Sequence, residues 1–416
     1  MDPDAYLDSL EPVGWRLGLG RMHKLTTALG LPQHRFASIH VVGTNGKSSV
    51  TRMTAALLEA HGLKTGACLS PHIDRWSQRT LVGGEEIGAA AWARAVDQVT
   101  RAAEGVNRTL EEGEAVTQFE AATAAGFVAL VDARVEVAVV EAGLGGRLDA
   151  TNVIPSKVTV LTSIGLDHTE WLGETELEIA TEKLAVLRDQ TTLVLGEVSD
   201  EVARLAEETA GERGARLVRA AADPGPEVRL VAAGEFQRRN FALARAAGEA
   251  FLGKPLDSSR VARVGAAVSV PGRLELVAEH PPTYLDAAHN PAAAAALARS
   301  LPALAAGRRV VACLAILADK DAAATAAALA PALARVVCTE LPREALVGHG
   351  RPGARSLPAV ELAAACEAAG LPAEVEADFG AALARGGALA AGPPEGLLLI
   401  TGSHYAIGPA RALISP

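Results

Sequence analysis

The chain has 416 residues, 49% of them hydrophobic and 21% charged, enough for about two or three domains with real cores, which excludes a disordered protein. Thirty-nine Lys plus Arg stand against 49 Asp plus Glu, a formal charge of −10, which repels polyanions at long range and excludes nucleic acid as the main partner. No run approaches ~18 apolar residues, and the opening MDPDAYLDSLEPVGW lacks the basic start and apolar stretch of a signal peptide, so a soluble, cytoplasmic chain with no membrane partner is expected.

Aromatic residues make up only 3% of the chain, so the cores must rest on Ala, Leu and Val. The Ala-dense runs from Pro291 to Ala298 and from Ala322 to Ala334 read as helices, because Ala is the strongest helix former. Cys68, Cys313, Cys338 and Cys366 show no CxxC spacing and read as small buried apolar residues.

Short β-rich runs alternate with helical patterns, which predicts parallel sheets with crossover helices. In the first half the strand candidates are 37–42, 135–141, 157–162 and 191–196, each nearly continuously apolar, as strands covered on both faces are. Helical stripes lie between them: Val50, Met53, Leu57 and His61; Phe119, Thr123, Phe127 and Leu130; Leu177, Ala180, Leu184 and Leu187. A second αβ series follows: TYLDAA, a helix from about 291, RRVVACLAI, a helix from about 320, ARVVCTE, and GLLLITGS. VSVPGRLEL, with Pro271 and Gly272, is the natural hinge, dividing the chain into domains 1–270 and 271–416.

Gly43, Thr44, Asn45, Gly46, Lys47, Ser48 and Ser49 directly follow an apolar strand and open an amphipathic helix. There backbone N–H groups and the helix N-terminus are suited to wrap phosphates, with Lys47 neutralising them and Ser48 reaching Mg²⁺, although Val41 replaces the first glycine of GxxxxGK[ST]. Glu141 ends the next strand and leads into Ala142-Gly143-Leu144-Gly145-Gly146-Arg147-Leu148-Asp149. A strand-end carboxylate is suited to Mg²⁺, and the glycines admit close backbone approach, while the loop taken alone is an ordinary turn as readily as a site. Ser163-Ile164-Gly165-Leu166-Asp167-His168 puts His168 at the same sheet edge, in a metal or phosphate role, with Asp167 free to cap a turn. Thr175 and Glu178 form a capping-box pattern. Spacing alone makes Lys183 a solvated helix lysine.

The strings HVVGTNGKSS, Ser70-Pro71-His72, Thr117-Gln118-Phe119-Glu120, EAGLGGRLDATN, SIGLDH, IATEK, PGRLE, LDAAHNP and TGSHYAIG run in collinear order over nearly the whole chain. Together they resemble the folylpolyglutamate synthase and dihydrofolate synthase family of Mur-type ATP-dependent amide ligases. The resemblance implies an α/β protein with an N-terminal P-loop-type domain and a smaller C-terminal Rossmann-like domain completing the active site. It also implies a monomer that joins L-glutamate to dihydropteroate or a reduced folate through an acyl phosphate, using ATP and two Mg²⁺ ions.

The same resemblance implies roles residue by residue. Gly43 to Ser49, Gln237, Asn240, Arg273, Asp286, His289 and Asn290 contact the nucleotide. Ser48, Glu141, His168 and Lys183 hold metal, Lys183 as a carbamate, and Lys47, His168, Lys183, Arg273 and His289 take part in catalysis. Ser70, Pro71, His72, Arg79, Thr117, Phe119, Glu120, Arg147 and Asp149 meet the pterin substrate. The sequence departs from the family pattern at Gln78, commonly Glu, at Ala287, usually Gly, and at Leu184-Ala185-Val186, usually Ala-Gly-Ile. Competing readings are a ligase of a peptidoglycan precursor, although only about 40 residues precede the phosphate loop, and a nucleotide-dependent switch, for which a second-domain Arg273 and His289 would be superfluous.

Overall fold

The computed structural model describes residues 2–10, 18–346 and 353–414. The chain divides into two compact α/β units, one comprising Met1–Val231 and Arg238–Val268 and the other Ala232–Gln237 and Ser269–Pro416.

The first unit holds eight strands: β1 Ala37–Val42, β2 Thr65–Cys68, β3 Thr80–Val82, β4 Glu85–Glu86, β5 Val137–Glu141, β6 Val158–Leu161, β7 Thr192–Leu195 and β8 Arg216–Arg219. They lie in the order β4-β3-β2-β5-β1-β6-β7-β8. All neighbours pair in parallel except β2 with β3 and β3 with β4. The chain fills one side of β1 before crossing to β6, so the carboxyl ends of β5, β1 and β6 meet where the winding reverses, the usual ligand position in open α/β sheets. Register fixes that meeting: Val41 pairs with Glu141, and Val42 with Leu161.

Helix Lys47–Ala60 makes the first crossover, burying Val50, Met53 and Leu57, while His61 caps its end. Helix Gln118–Asp132 is apolar all round and buries Thr123, Phe127 and Leu130, as expected for a helix enclosed on its sides. The third predicted stripe is only partly realised. Helix Glu176–Leu184 buries Ile179, Ala180, Lys183 and Leu184, whereas Leu177 is 40% exposed and Leu187 lies past the helix end. Ile179 takes the inward place expected for Leu177, and Leu187 is buried from the turn that follows the helix.

The second unit holds β9 Glu275–Glu279, β10 Pro282–Leu285, β11 Val310–Leu314, β12 Arg335–Cys338, β13 Ala373–Val375 and β14 Leu397–Thr401, ordered β13-β12-β11-β14-β10-β9. Only β9 runs antiparallel to its neighbour. Helices Pro291–Ala305 and Ala322–Leu329 fall on the Ala-dense runs. The core of this unit is aliphatic, built around Leu297, Leu301, Leu314, Val336, Leu362 and Leu399, and all four cysteines are buried and free. Among the described residues no helix is long and apolar enough to cross a membrane.

Candidate active site

The turn between β1 and helix Lys47–Ala60 is shaped by Gly46, whose φ of +84° caps the helix in the left-handed region. A side chain there is disfavoured by that backbone angle, and a Cβ, 2.6 Å from Asn240 Oδ1, would also displace the Asn240 amide. The turn is tied to the loop after β6. Thr44 N donates to Ser163 O at 2.8 Å, Asn45 N to Ser163 Oγ at 3.1 Å and the Thr162 hydroxyl to Asn45 O at 2.6 Å. Thr44 Oγ1 and the backbone of Gly165 bond reciprocally at 3.1 and 3.2 Å. These bonds fix the backbone N–H groups at the helix start, the geometry that binds anions.

Lys47 Nζ donates to Gly43 O and Thr44 O at 3.0 and 3.1 Å, so its charge is held over the turn. Ser49 faces inward and is buried. Ser48 Oγ donates to Glu141 Oε1 at 2.9 Å. The other oxygen of Glu141 accepts from Ser70 N at 3.2 Å, so this one buried carboxylate joins the phosphate turn to the Ser70-Pro71-His72 loop. His168 follows β6 at the same edge with φ 52°, its N–H on Asp167 Oδ1 at 3.0 Å.

Lys183 corrects the expectation of a solvated lysine: it is only 4% exposed. Its helix is covered by the glycine loop, because Gly146 lies so close that a Cβ would sit 2.7 Å from Glu182 O and 2.9 Å from Lys183 Cα. Arg147 N donates to Glu182 O at 3.0 Å, and the Arg147 side chain pairs with Glu182 at 3.1 Å. Burial, reinforced by the Lys47 charge, depresses the Lys183 amine to about 7, against the opposing pull of Asp167, Asp149 and Glu182.

Ser70 and Pro71 join through a cis bond. His72 and Arg79 are both buried, and Arg79 Nε donates to His72 Nδ1 at 2.9 Å, with its guanidinium 4.2 Å from the Trp76 ring centroid. Gln78 accepts from Ile73 N and Asp74 N at 3.0 and 2.9 Å, so the amide at this departure closes the loop. Thr117 and Glu120 form the capping box of helix Gln118–Asp132, and Glu120 pairs with Arg21 at 3.1 Å. Phe119 lies against Gly143. Asp149 is buried and accepts from Leu144 N and Thr151 N at 2.8 and 3.0 Å; burial raises its pKa and these hydrogen bonds oppose the rise.

In the second unit Asp286 follows β10 and accepts from Leu274 N and Ala288 N at 2.9 and 2.8 Å. Burial raises its pKa, and Arg273 opposes the rise. His289 Nδ1 lies 2.9 Å from Ala287 O, and Asn290 caps helix Pro291–Ala305 through Ala293 N at 2.9 Å. Ala287 keeps a negative φ, so alanine is accommodated there without strain. Gln237 belongs to this unit, whereas Asn240, on the same helix Glu235–Leu252, belongs to the first.

The residues that sequence reasoning missed are the braces: Thr162, Thr151 and His40. Thr162 carried a signal, a polar residue just past a largely apolar strand, but its partner Asn45 is 117 residues away.

Comparison with known proteins gives two family matches, the Mur ligase middle domain over residues 41–228 and the Mur ligase glutamate ligase domain over residues 272–404. A dihydrofolate synthase/folylpolyglutamate synthase of Mycobacterium tuberculosis is 37% identical over 388 residues, covering 83% of this chain and 77% of the relative. A crystal structure of the Mycobacterium tuberculosis folylpolyglutamate synthase complexed with ADP and AMPPCP superposes with a TM-score of 0.88 at 33% identity, over 97% of this chain and 96% of that one. The E. coli FolC structure in complex with DHPP and ADP gives 0.84 at 29% identity, over 99% and 96%.

Proposed function

Because the chain belongs to the dihydrofolate synthase/folylpolyglutamate synthase family of Mur ligases, we propose that it joins L-glutamate to dihydropteroate or a reduced folate at the expense of ATP. The observation that carries this reading is the union, through Glu141, of a braced phosphate turn with the Ser70-Pro71-His72 loop. On this reading the nucleotide and acceptor sides share one carboxylate.

The donors around that turn fit Mg²⁺, since the Ser48 hydroxyl and the Glu141 carboxylate are hard oxygen ligands. Mg²⁺ commonly binds through one or two carboxylates plus substrate phosphates. Ser48 and Glu141 would hold the ion with His168, and a carbamate on Lys183 would supply oxygens for a second. When bound, the metal draws charge from the phosphate oxygens as the acceptor carboxylate takes the γ-phosphoryl group.

The residues of the chain do the rest. The N–H groups after Gly46 and the ammonium of Lys47 hold the phosphates, and their fixed positions need no reorganisation as negative charge develops. Arg273 and His289 act in the same reaction, Arg273 on the phosphates and His289 beside the nucleotide, with Asp286 and Asn290 bracing the backbone that carries them.

Phosphate release is the deciding assay. It should require ATP together with both an acceptor, dihydropteroate or a reduced folate, and L-glutamate. Release with a UDP-sugar peptide instead, or release independent of glutamate, would overturn the assignment.

A further inference from the structure

Beneath the glycine loop runs a buried hydrogen-bond chain that ends on Asp149 and whose inner members, His40 and Thr151, have no part in the chemistry above. His40 is fully buried in the central strand β1. Its Nε2 lies 2.8 Å from Thr151 Oγ1, and that hydroxyl lies 2.5 Å from Asp149 Oδ1. Asp149 receives backbone N–H groups on both oxygens, from Leu144 at 2.8 Å and from Thr151 at 3.0 Å, so the carboxylate acts as an acceptor.

The proton inventory then has one solution. The single Thr151 hydroxyl proton goes to Asp149, so Thr151 must accept from His40, which therefore carries a proton on Nε2; burial holds the ring neutral, so Nδ1 bears none. His40 Nδ1 is buried with no hydrogen-bond partner. An orphaned imidazole nitrogen in a strand otherwise made of Ala, Ser, Ile and Val is a net loss of stability that an aliphatic residue would avoid.

We propose that His40 and Thr151 are positioning residues for the acceptor side of the ligase, an inference that rests on the functional reading above. His40 orients the Thr151 hydroxyl, Thr151 orients Asp149, and Asp149 clamps the backbone at both ends of the 144–151 segment. That segment carries Arg147 and packs on the Lys183 helix, and Gly143 beside it supports Phe119. Asp149 thus acts through the loop it holds. The phosphate turn has its own brace in Thr162, Ser163 and Gly165, so loss of the His40 chain falls on the acceptor and leaves ATP binding in place.

The test uses the full-length protein and steady-state kinetics with dihydropteroate and a reduced folate. Thr151→Val, which keeps shape and removes the hydroxyl, should raise the acceptor KM by about tenfold with the ATP KM within about twofold, and Thr151→Ser should restore both. Nitrogen NMR of isotope-labelled histidine should show wild-type His40 as the Nε2–H tautomer throughout the neutral range, because burial depresses its pKa to about 3. An unchanged acceptor KM in Thr151→Val, equal rises for acceptor and ATP, or an Nδ1-protonated His40 overturns the proposal. Should the wild type use neither acceptor, the ligase reading fails by itself. The clamp is then decided by the tautomer together with hydrogen exchange of the Leu144 amide in Thr151→Val, where rapid exchange upholds it and wild-type protection overturns it.

Discussion

A buried lysine whose neighbours include a second lysine is unstable as an ammonium, and Lys183 is held at about 7 rather than its ordinary 10.5 for that reason. Between those values the unfolded chain keeps a proton that the folded chain has released. Stability therefore rises with pH across that window, by up to about 1.4 kcal/mol per unit, while below it both states are protonated and the desolvation penalty remains in full. Lys183→Met should flatten the rise and be the more stable protein at the acid end, which urea midpoints from pH 6 to 9 will measure; a slope equal to wild type would refute the buried ammonium. The neutral amine is also the form that attacks CO₂, so labelled bicarbonate should give a carbamate signal that Lys183→Met lacks. None of this burial was legible in the helical spacing. It arises from Gly146 packing on the helix, a contact across about 37 residues of sequence. Lys47 was legible, because the strand, the glycine turn and the helix are local in sequence. Lys47→Ala should abolish ligation and weaken ATP binding while leaving the fold intact, since the side chain bonds only its own turn; near-normal ligation would remove the phosphate-turn assignment.

At the scale of elements, the parallel strands and crossover helices were readable because continuous apolar runs bounded by turns are a local property. Strand β1 falls at 37–42 as expected, and β5, β6 and β7 lie one or two residues inside their expected ends. The misses have physical causes. Strand β2, TGAC, is too short and too weakly apolar to stand out. The β3–β4 hairpin offered a two-glycine turn at Gly83-Gly84, a signal left unused. Strand β9 starts at the end of the segment read as a hinge and runs past it to Glu279. The glycine loop itself makes a testable claim about elements, because at Gly146 a Cβ would strike backbone atoms of Glu182 and Lys183, which have no rotamer to yield. Gly146→Ala must push loop and helix apart, at about 1–3 kcal/mol, and disturb Lys183. Thermal unfolding should fall and activity should fall with it, whereas Gly211→Ala, at an exposed helix position where a Cβ meets nothing within 4 Å, should leave activity unchanged and raise thermal unfolding slightly if it moves it at all. Equal behaviour of the two variants would mean that the loop does not bear on the helix.

At the scale of the molecule, sequence order carried two αβ series, and the contact structure has two units, each with its own hydrophobic core. The sequence did not foretell that residues 232–237 belong with the second unit, because that depends on Phe236 packing against the second core and on Glu235 N bonding Ser300 Oγ at 3.1 Å. Fold alone would be shared by many activities, so the proposed roles of side chains in each unit are what experiment must decide. Arg273 is the sharpest case. It stands on a turn secured from several sides: Gly272 N on Glu275 at 2.7 Å, the Arg411 guanidinium on Glu275 at 2.7 Å, Leu274 N on Asp286 at 2.9 Å. A turn braced this heavily keeps its backbone when one guanidinium is removed, so Arg273→Ala should fold as the wild type does. If the guanidinium meets the phosphates chiefly as charge builds during transfer, its loss lowers kcat by about two orders of magnitude with a smaller change in the ATP KM. Steady-state kinetics with saturating acceptor and glutamate measure this, with Arg273→Lys as the control that retains charge and loses the planar fork. An unchanged kcat in Arg273→Ala would remove Arg273 from the chemistry and leave His289 as the catalytic residue the second unit has to offer.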